Sequence, residues 1–308
     1  MNTTKYAVFT MDVEAFTDTE CVTASHEKVE VDLLDGFDEY MKILDRHGIK
    51  STLFTVGNLA PKIADQLGRH INNGHRLALH SYKHVAPMDI SVAQFREQTE
   101  KAKKLLTDLF HTTVEGFRAP CFSMDNERLS VLQELGFRYD SSHLGFLKAN
   151  HTVDLDLSGF ERVEDGIFRQ NGFFEFEMSK QKVLGQMFPI SGGGYVRLSN
   201  WDFIKTLIWQ YIRHHHYYVF YLHPFEMSKQ EVPVPKDLCA RDRYYLRHGI
   251  GSYGQKVEQI IRMLKKCGYQ FVTFEELSDI MSNASANADP NGTEFSPFFE
   301  KNHYEKAE

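Results

Sequence analysis

The sequence predicts an α/β fold, a parallel sheet or barrel wrapped by helices. Two observations carry this. Short apolar, β-branched runs alternate with helical-period segments at spacings of about 25 to 40 residues. Residues able to do chemistry then stand where those runs end, as expected when all strands point the same way and open on one mouth.

Residues 5–11 (KYAVFTM) read as a buried strand that delivers Asp12. Residues 31–47 place Leu33, Leu34, Phe37, Met41, Ile43 and Leu44 at helical spacing, with Gly48 as C-cap. A second strand covers 50–56 (KSTLFTV), and a helix over 61–72 begins at Pro61 and stops before Gly74. The third strand, 76–80, ends on His80. Ser91 opens a long helix to 110, a fourth strand covers 114–119, a helix 126–135 stops before Gly136, and a fifth strand covers 137–140. The stretch from about 145 to 200 breaks the alternation: FFEFEM reads as a strand and ISGGGYVRL as a glycine-rich loop. Alternation resumes with a helix over 200–213, a strand over 217–223, a loop carrying Pro233 and Pro235, a helix over 254–267 and a strand over 271–274. The expected organisation is one catalytic domain over 1–282 with an irregular insertion at 145–200. A polar tail over 283–308 follows, with Phe295, Phe298 and Phe299 as its docking residues.

The bulk numbers exclude several classes. With 308 residues, 42% hydrophobic and 25% charged, the chain has the composition of a globular protein with a substantial core. A net charge of -7 argues against a nucleic-acid partner. No apolar run reaches the roughly 20 residues of a membrane span. MNTTKYAVFTMDVEAF lacks the apolar core and cleavage site of a signal peptide, so a cytoplasmic location is expected. Cys21, Cys121, Cys239 and Cys267 have no C-x-x-C spacing and read as free thiols.

The strand ends supply an inventory. Asp12 and Glu14 follow the first strand, His80 and His84 the third, Arg118 the fourth, Asp140 the fifth and His223 the late one. Two neutral imidazoles and one carboxylate suit zinc or a similar divalent ion with positions left for water. Asp12 and Glu14 are two apart and point to one side of an extended segment, so one can ligate while the other serves as base. Arg118 fits either a structural ion pair or a clamp on a catalytic carboxylate. His223, at the end of YVFYLH, has the titration range of a general acid. His214–His216 lie at the opposite edge and read as surface. SGGGYVR lacks both the P-loop and the dinucleotide pattern and reads as a substrate-lining turn presenting Tyr195.

Taken together, these residues resemble the polysaccharide deacetylase superfamily of metal-dependent carbohydrate esterases. FTMDVEAF, HSYKH, FRAPCF, YDSS and YLHPFE are similar to its five motifs, in order, and the likeness spans residues 6 to about 280. The resemblance implies a deformed (β/α) barrel of mostly parallel strands with outer helices. It implies Glu14, His80 and His84 as ligands of one divalent ion, zinc first, with cobalt, nickel or manganese as alternatives. Asp12 would be the base and Arg118 its orienting partner. Pro120 would shape the groove, the Cys121 N–H would help hold the oxyanion and Leu222 would line the acetyl pocket. His223 would protonate the leaving amine, oriented by Asp140. D-V-E, where common members carry two adjacent aspartates, resembles a branch associated with exopolysaccharide assembly, and also lipid-linked aminoarabinose deformylases with D-V-D. The implied activity is removal of the N-acetyl group from an N-acetylated sugar or glycolipid. The alternatives are a deformylase or cyclic-amide hydrolase on the same metal site, or an inactive carbohydrate-binding relative.

Overall fold

A computed structural model describes residues 4–145 and 155–286. Among these, ten strands form one sheet: β1 (Lys5–Val13), β2 (Ser51–Thr55), β3 (Arg76–Leu79), β4 (Gly116–Phe117), β5 (Tyr139–Asp140), β6 (Glu161–Glu164), β7 (Ile167–Gln170), β8 (Phe173–Phe176), β11 (Tyr217–Phe220) and β12 (Tyr269–Val272). β9 (Lys180–Val183) and β10 (Gln186–Pro189) form a separate antiparallel hairpin. The order β11-β1-β2-β3-β4-β5-β8 is parallel throughout, and β7 and β6 then add antiparallel. This is the predicted architecture, a curled, mostly parallel sheet with helices packed around it.

β1 is the hub. One edge carries β11 along Tyr6–Phe9, while the other is divided, with β12 against Lys5–Val8 and β2 against Phe9–Val13. A parallel strand covered on both faces is apolar on both, and KYAVFTMDV is buried from Tyr6 onward. The polar Asp12 therefore sits in a nearly dry position and requires a partner.

The helices Asp35–His47, Val92–Phe110, Trp201–His214 and Ile250–Lys266 cover the sheet through one large core cluster that includes Phe37, Leu44, Phe95, Leu106, Ile208 and Ile261. Gly36, in the first of these, approaches the loop after β11 so closely that a Cβ would lie 1.8 Å from the Pro224 carbonyl oxygen. Backbone atoms on both sides leave no room to yield. Gly36→Ala is expected to cost about 3 kcal/mol, the upper range for overpacking. A urea midpoint lowered at unchanged slope would show it, and an unshifted midpoint would refute it.

Several boundaries differ from the sequence expectation. The helix predicted over 31–47 starts at Asp35, because buried Leu33 has a left-handed φ of 50°. The glycine-rich segment is not a turn but a short helix, Gly193–Leu198, that docks on the segment after β11. There Gly192 (φ 115°) runs so close that a Cβ would lie 2.1 Å from the Tyr221 carbonyl, which accepts from the Gly193 N–H. A helix Ala240–Arg247 occupies part of the predicted proline loop, and a final helix, Phe274–Ala286, crosses the predicted boundary at 282. FFEFEM enters the main sheet as β8 beside β5. The tail beyond 286, with Phe295, Phe298 and Phe299, lies outside the described residues. Among the described residues, no helix is long and apolar enough to cross a membrane.

Candidate active site

The C-terminal ends of β1, β3, β4 and β11 bring Asp12, Glu14, His80, His84, Arg118 and His223 to one place. The first set is Glu14, His80 and His84, whose ligating atoms all lie within 4.8 Å of one another. His80 directly follows β3. Ser81 turns the chain with a left-handed φ of 66°, and the carbonyls of Ser81 and Tyr82 accept from the N–H groups of Gly57 and Asn58, which fixes the loop that brings His84 back.

His80 Nδ1 lies 2.8 Å from the Arg118 carbonyl oxygen. A carbonyl can only accept, so Nδ1 carries the proton and Nε2 presents its lone pair to the cluster. Glu14 Oε2 lies 3.6 Å from His80 Nε2 and 2.8 Å from His84 Nε2. It is nonetheless a buried acceptor with no hydrogen-bond donor in suitable geometry. A buried carboxylate oxygen without a donor, facing a bare imidazole nitrogen, is the donor set of a divalent-cation site. The residues fit the ion.

Burial works to raise the Glu14 carboxyl, but the His84 and His223 charges outweigh it and hold it well below the ordinary range. Burial likewise works to lower His84, yet the Glu14 carboxylate leaves it raised. Both shifts record charges crowded into a site that is almost dry.

Asp12 points to the same mouth but is held differently. Its Oδ1 accepts from Arg118 Nη1 at 2.8 Å, and its backbone N–H donates to the Leu222 carbonyl at 3.0 Å. Oδ2 is left toward His223 Nε2, 4.0 Å away. Arg118 is completely buried, lies 4.1 Å over the Phe54 ring, and donates also to Thr10 Oγ1, the Ser141 carbonyl and Ser141 Oγ. Its orientation is therefore fixed from several sides. The two carboxylates the sequence offered therefore have different partners. Glu14 joins the histidines and Asp12 joins the arginine.

His223 departs from expectation in its partner. Asp140 does not reach it. Asp140 accepts from the Ser142 N–H and Oγ–H and lies beside Glu175 across the β5–β8 register. The parallel pairing that draws FFEFEM next to β5 supplies Asp140 with that neighbour and turns it away from β11. His223 is oriented instead by Glu226, whose Oε2 lies 3.1 Å from Nδ1 and also accepts the His223 N–H. Glu226 in turn is paired with Arg197 at 2.8 Å, both side chains fully buried. Burial works to lower His223, but Glu14, Glu226 and Asp12 together push it up to about 9. Sequence reasoning missed Glu226 and Arg197. The signal was present: a lone charged residue inside each of the apolar stretches HPFE and GGGYVRL.

The remaining expected residues take these places. Pro120 is buried, and Cys121 adopts a left-handed conformation (φ 55°) whose N–H has no acceptor among the described residues. Burial, with help from the Glu20 and Glu14 charges, pushes the Cys121 thiol up to about 12, which disfavours its thiolate. Leu222 is completely buried in the core. Tyr195 is 41% exposed, on the helix Gly193–Leu198 rather than on a turn. His215 and His216 pair with Asp165 and Glu164.

Comparisons with known proteins accord with this geometry. The family model described as polysaccharide deacetylase matches residues 32–139, which include His80, His84 and Arg118, and a domain of unknown function (DUF3473) matches residues 151–278. A peptidoglycan deacetylase-like protein of Gibberella zeae is 32% identical over 112 residues, covering 36% of this chain and 33% of that protein. The peptidoglycan deacetylase of Helicobacter pylori is 25% identical over 107 residues, covering 35% and 36%. The matched part thus spans about a third of the length of these curated relatives. Among solved structures, a Mycobacterium smegmatis protein assigned by name to the polysaccharide deacetylases shares the fold with TM-score 0.58 at 15% identity, over 92% of this chain and 93% of that one. A CE4 family pseudoenzyme from Bacillus anthracis does so with TM-score 0.52 at 13% identity, over 91% and 67%. Residues 32–139 of this chain are thus similar in sequence to the polysaccharide deacetylases, and its fold is shared with these solved structures across nearly its whole length.

Proposed function

We propose that this chain is a metal-dependent hydrolase that removes the N-acetyl group from an N-acetylated amino sugar during exopolysaccharide or glycolipid assembly. The observation that carries the reading is the division of labour in the mouth. A cation-ready Glu14–His80–His84 set stands beside an arginine-held Asp12 and a glutamate-held His223. A binding module has no use for an acid and a base held beside a metal site.

Glu14, His80 and His84 would hold the ion. Once bound, a divalent ion there polarises an amide carbonyl and lowers the pKa of a nearby water. The protein's own groups do the rest. Asp12 Oδ2, left free while Arg118 occupies Oδ1, takes the proton of the attacking water. The unengaged Cys121 N–H donates to the oxygen on which negative charge develops, a contribution worth about 3 kcal/mol in comparable hydrolases. His223, with Nδ1–H held by Glu226, passes its Nε2 proton to the departing sugar nitrogen. The D-V-E spacing supports the exopolysaccharide assignment.

The test begins with the metal content of the purified chain, then measures acetate release from N-acetylhexosamine oligomers before and after chelation. The expected result is release that is lost on chelation and restored by zinc or cobalt. Formate release from an N-formylated sugar, without acetate release, would move the substrate to the deformylase reading. Release insensitive to chelation, or none of either acid, would sink the metal-hydrolase reading.

A further inference from the structure

Asp140 is left without the role its position suggested, and its surroundings give it another. Asp140 and Glu175 are side-by-side residues of β5 and β8, both completely buried. Both carboxyls converge on one small turn. Asp140 Oδ1 accepts from Ser142 Oγ at 2.8 Å, Asp140 Oδ2 lies 3.2 Å from the Ser142 N, and Glu175 Oε1 accepts from the N–H groups of Ser142 and His143 at 3.1 and 3.0 Å. The turn's other side grips the catalytic loop. The Ser141 carbonyl and Oγ accept from Arg118 Nε and Nη2 at 3.1 and 3.0 Å, and Ser142 Oγ accepts from the Ala119 N–H at 2.9 Å. Consecutive serines thus hold consecutive residues of FRAPCF.

We propose that Asp140 and Glu175 form a positioning pair, one carboxylic acid bonded to one carboxylate, that locks the Ser141–Ser142 turn and through it sets Arg118 and the Ala119–Cys121 loop. The proposal rests on the hydrolase reading, since its purpose is to aim Asp12 and the Cys121 N–H. Two adjacent carboxylates cannot both ionise in a dry site, and Arg118, which grips the same turn, is already paired with Asp12. Burial and the Asp140 charge hold Glu175 well above the ordinary range. Glu175 Oε2 finds no N–H or O–H donor, as expected of the oxygen that carries the proton itself. The need for such an anchor is local. Cys121 and Phe122 are both non-glycine residues in left-handed backbone (φ 55° and 54°), a conformation that persists only when neighbouring contacts over-determine it.

The pair predicts unequal effects from similar substitutions. Glu175→Gln keeps a neutral donor beside Asp140, so kcat should stay within about threefold of the parent, whereas Asp140→Asn and Ser142→Ala loosen the loop and should lower kcat by about 10- to 100-fold. KM and metal content should hold in all three variants. Infrared spectra at neutral pH should show a protonated-carboxyl band that disappears in Glu175→Gln, and the NMR signal of the Arg118 Nε–H should move in Ser142→Ala. Equal damage from Glu175→Gln and Asp140→Asn, an unaltered kcat in Ser142→Ala, or no such band in the parent would each overturn the proposal. Should Asp140→Asn fail to fold, the other two variants decide it. Should the parent release no acetate or formate, the hydrolase reading fails, while the carboxyl band and the arginine signal still report on the pair.

Discussion

Glu14→Gln should empty the metal site and abolish acetate release, whereas Asp12→Asn should keep the metal and lose the chemistry. The two carboxylates are neighbours in D-V-E, yet they face different partners. Glu14 Oε2 lies against both histidine Nε2 atoms, while Asp12 Oδ1 is taken by Arg118. An amide at position 14 replaces an anionic ligand with a neutral one, and its NH2 group repels a cation where the oxygen is displaced. Metal affinity is expected to fall by more than about 100-fold and kcat to undetectable levels. An amide at position 12 leaves all three ligands in place and removes the base, which should lower kcat by about 10²- to 10⁴-fold at unchanged metal content. Asp12→Asn also strands the Arg118 charge in a fully buried position, so its unfolding free energy should drop by about 3 to 5 kcal/mol. Metal analysis by mass spectrometry beside steady-state kinetics separates the two. Metal loss in Asp12→Asn, or metal retention in Glu14→Gln, would reverse the assignment.

Much of the site was legible because strand ends are legible. KYAVFTM, KSTLFTV and YVFYL are apolar runs that could only be buried strands, so the polar residue closing each had to fall at one mouth. Glu14, His80, His84, Asp12, Arg118 and His223 were found this way. What the sequence could not show is lateral order. Nothing in YDSS or FFEFEM says that their strands pair, and it is this pairing that turns Asp140 toward Glu175 rather than His223. The same limit hid Glu226 and Arg197. Each is a single charge in an apolar context, and their pairing depends on the helix Gly193–Leu198 docking on the segment after β11. The helix was hidden because three consecutive glycines read as loop. In the structure they serve instead to let backbone pass backbone at Gly192.

This partner exchange makes Glu226 the residue with the widest expected reach. Glu226→Gln strikes two groups at once, since Oε1 holds Arg197 and Oε2 holds the His223 Nδ1–H. Arg197 would be left fully buried without a counter-charge, which should cost about 3 to 5 kcal/mol of stability. The loss should depend on pH with a definite sign. His223 is raised to about 9 in the folded chain, so its charged form contributes stability that is fully present below about pH 6.5 and disappears as pH rises through about 9. Removing the Glu226 carboxylate lowers that folded value. The difference between parent and variant should therefore be largest near pH 6 and shrink toward pH 9, leaving the part due to Arg197. Activity should show the same shift. A cation held by Glu14 would offset that residue's pull on the His223 proton, leaving Glu226 and Asp12 to keep the acid charged. Loss of the Glu226 carboxylate should move the basic limb of the kcat profile to lower pH and reduce kcat by about 10²- to 10³-fold. Asp140→Asn, which removes a carboxylate that does not touch His223, should leave that limb in place even where it lowers kcat. Denaturation across pH beside the two rate profiles gives the answer. A basic limb that moves with Asp140 and stays with Glu226 would return the orienting role to Asp140.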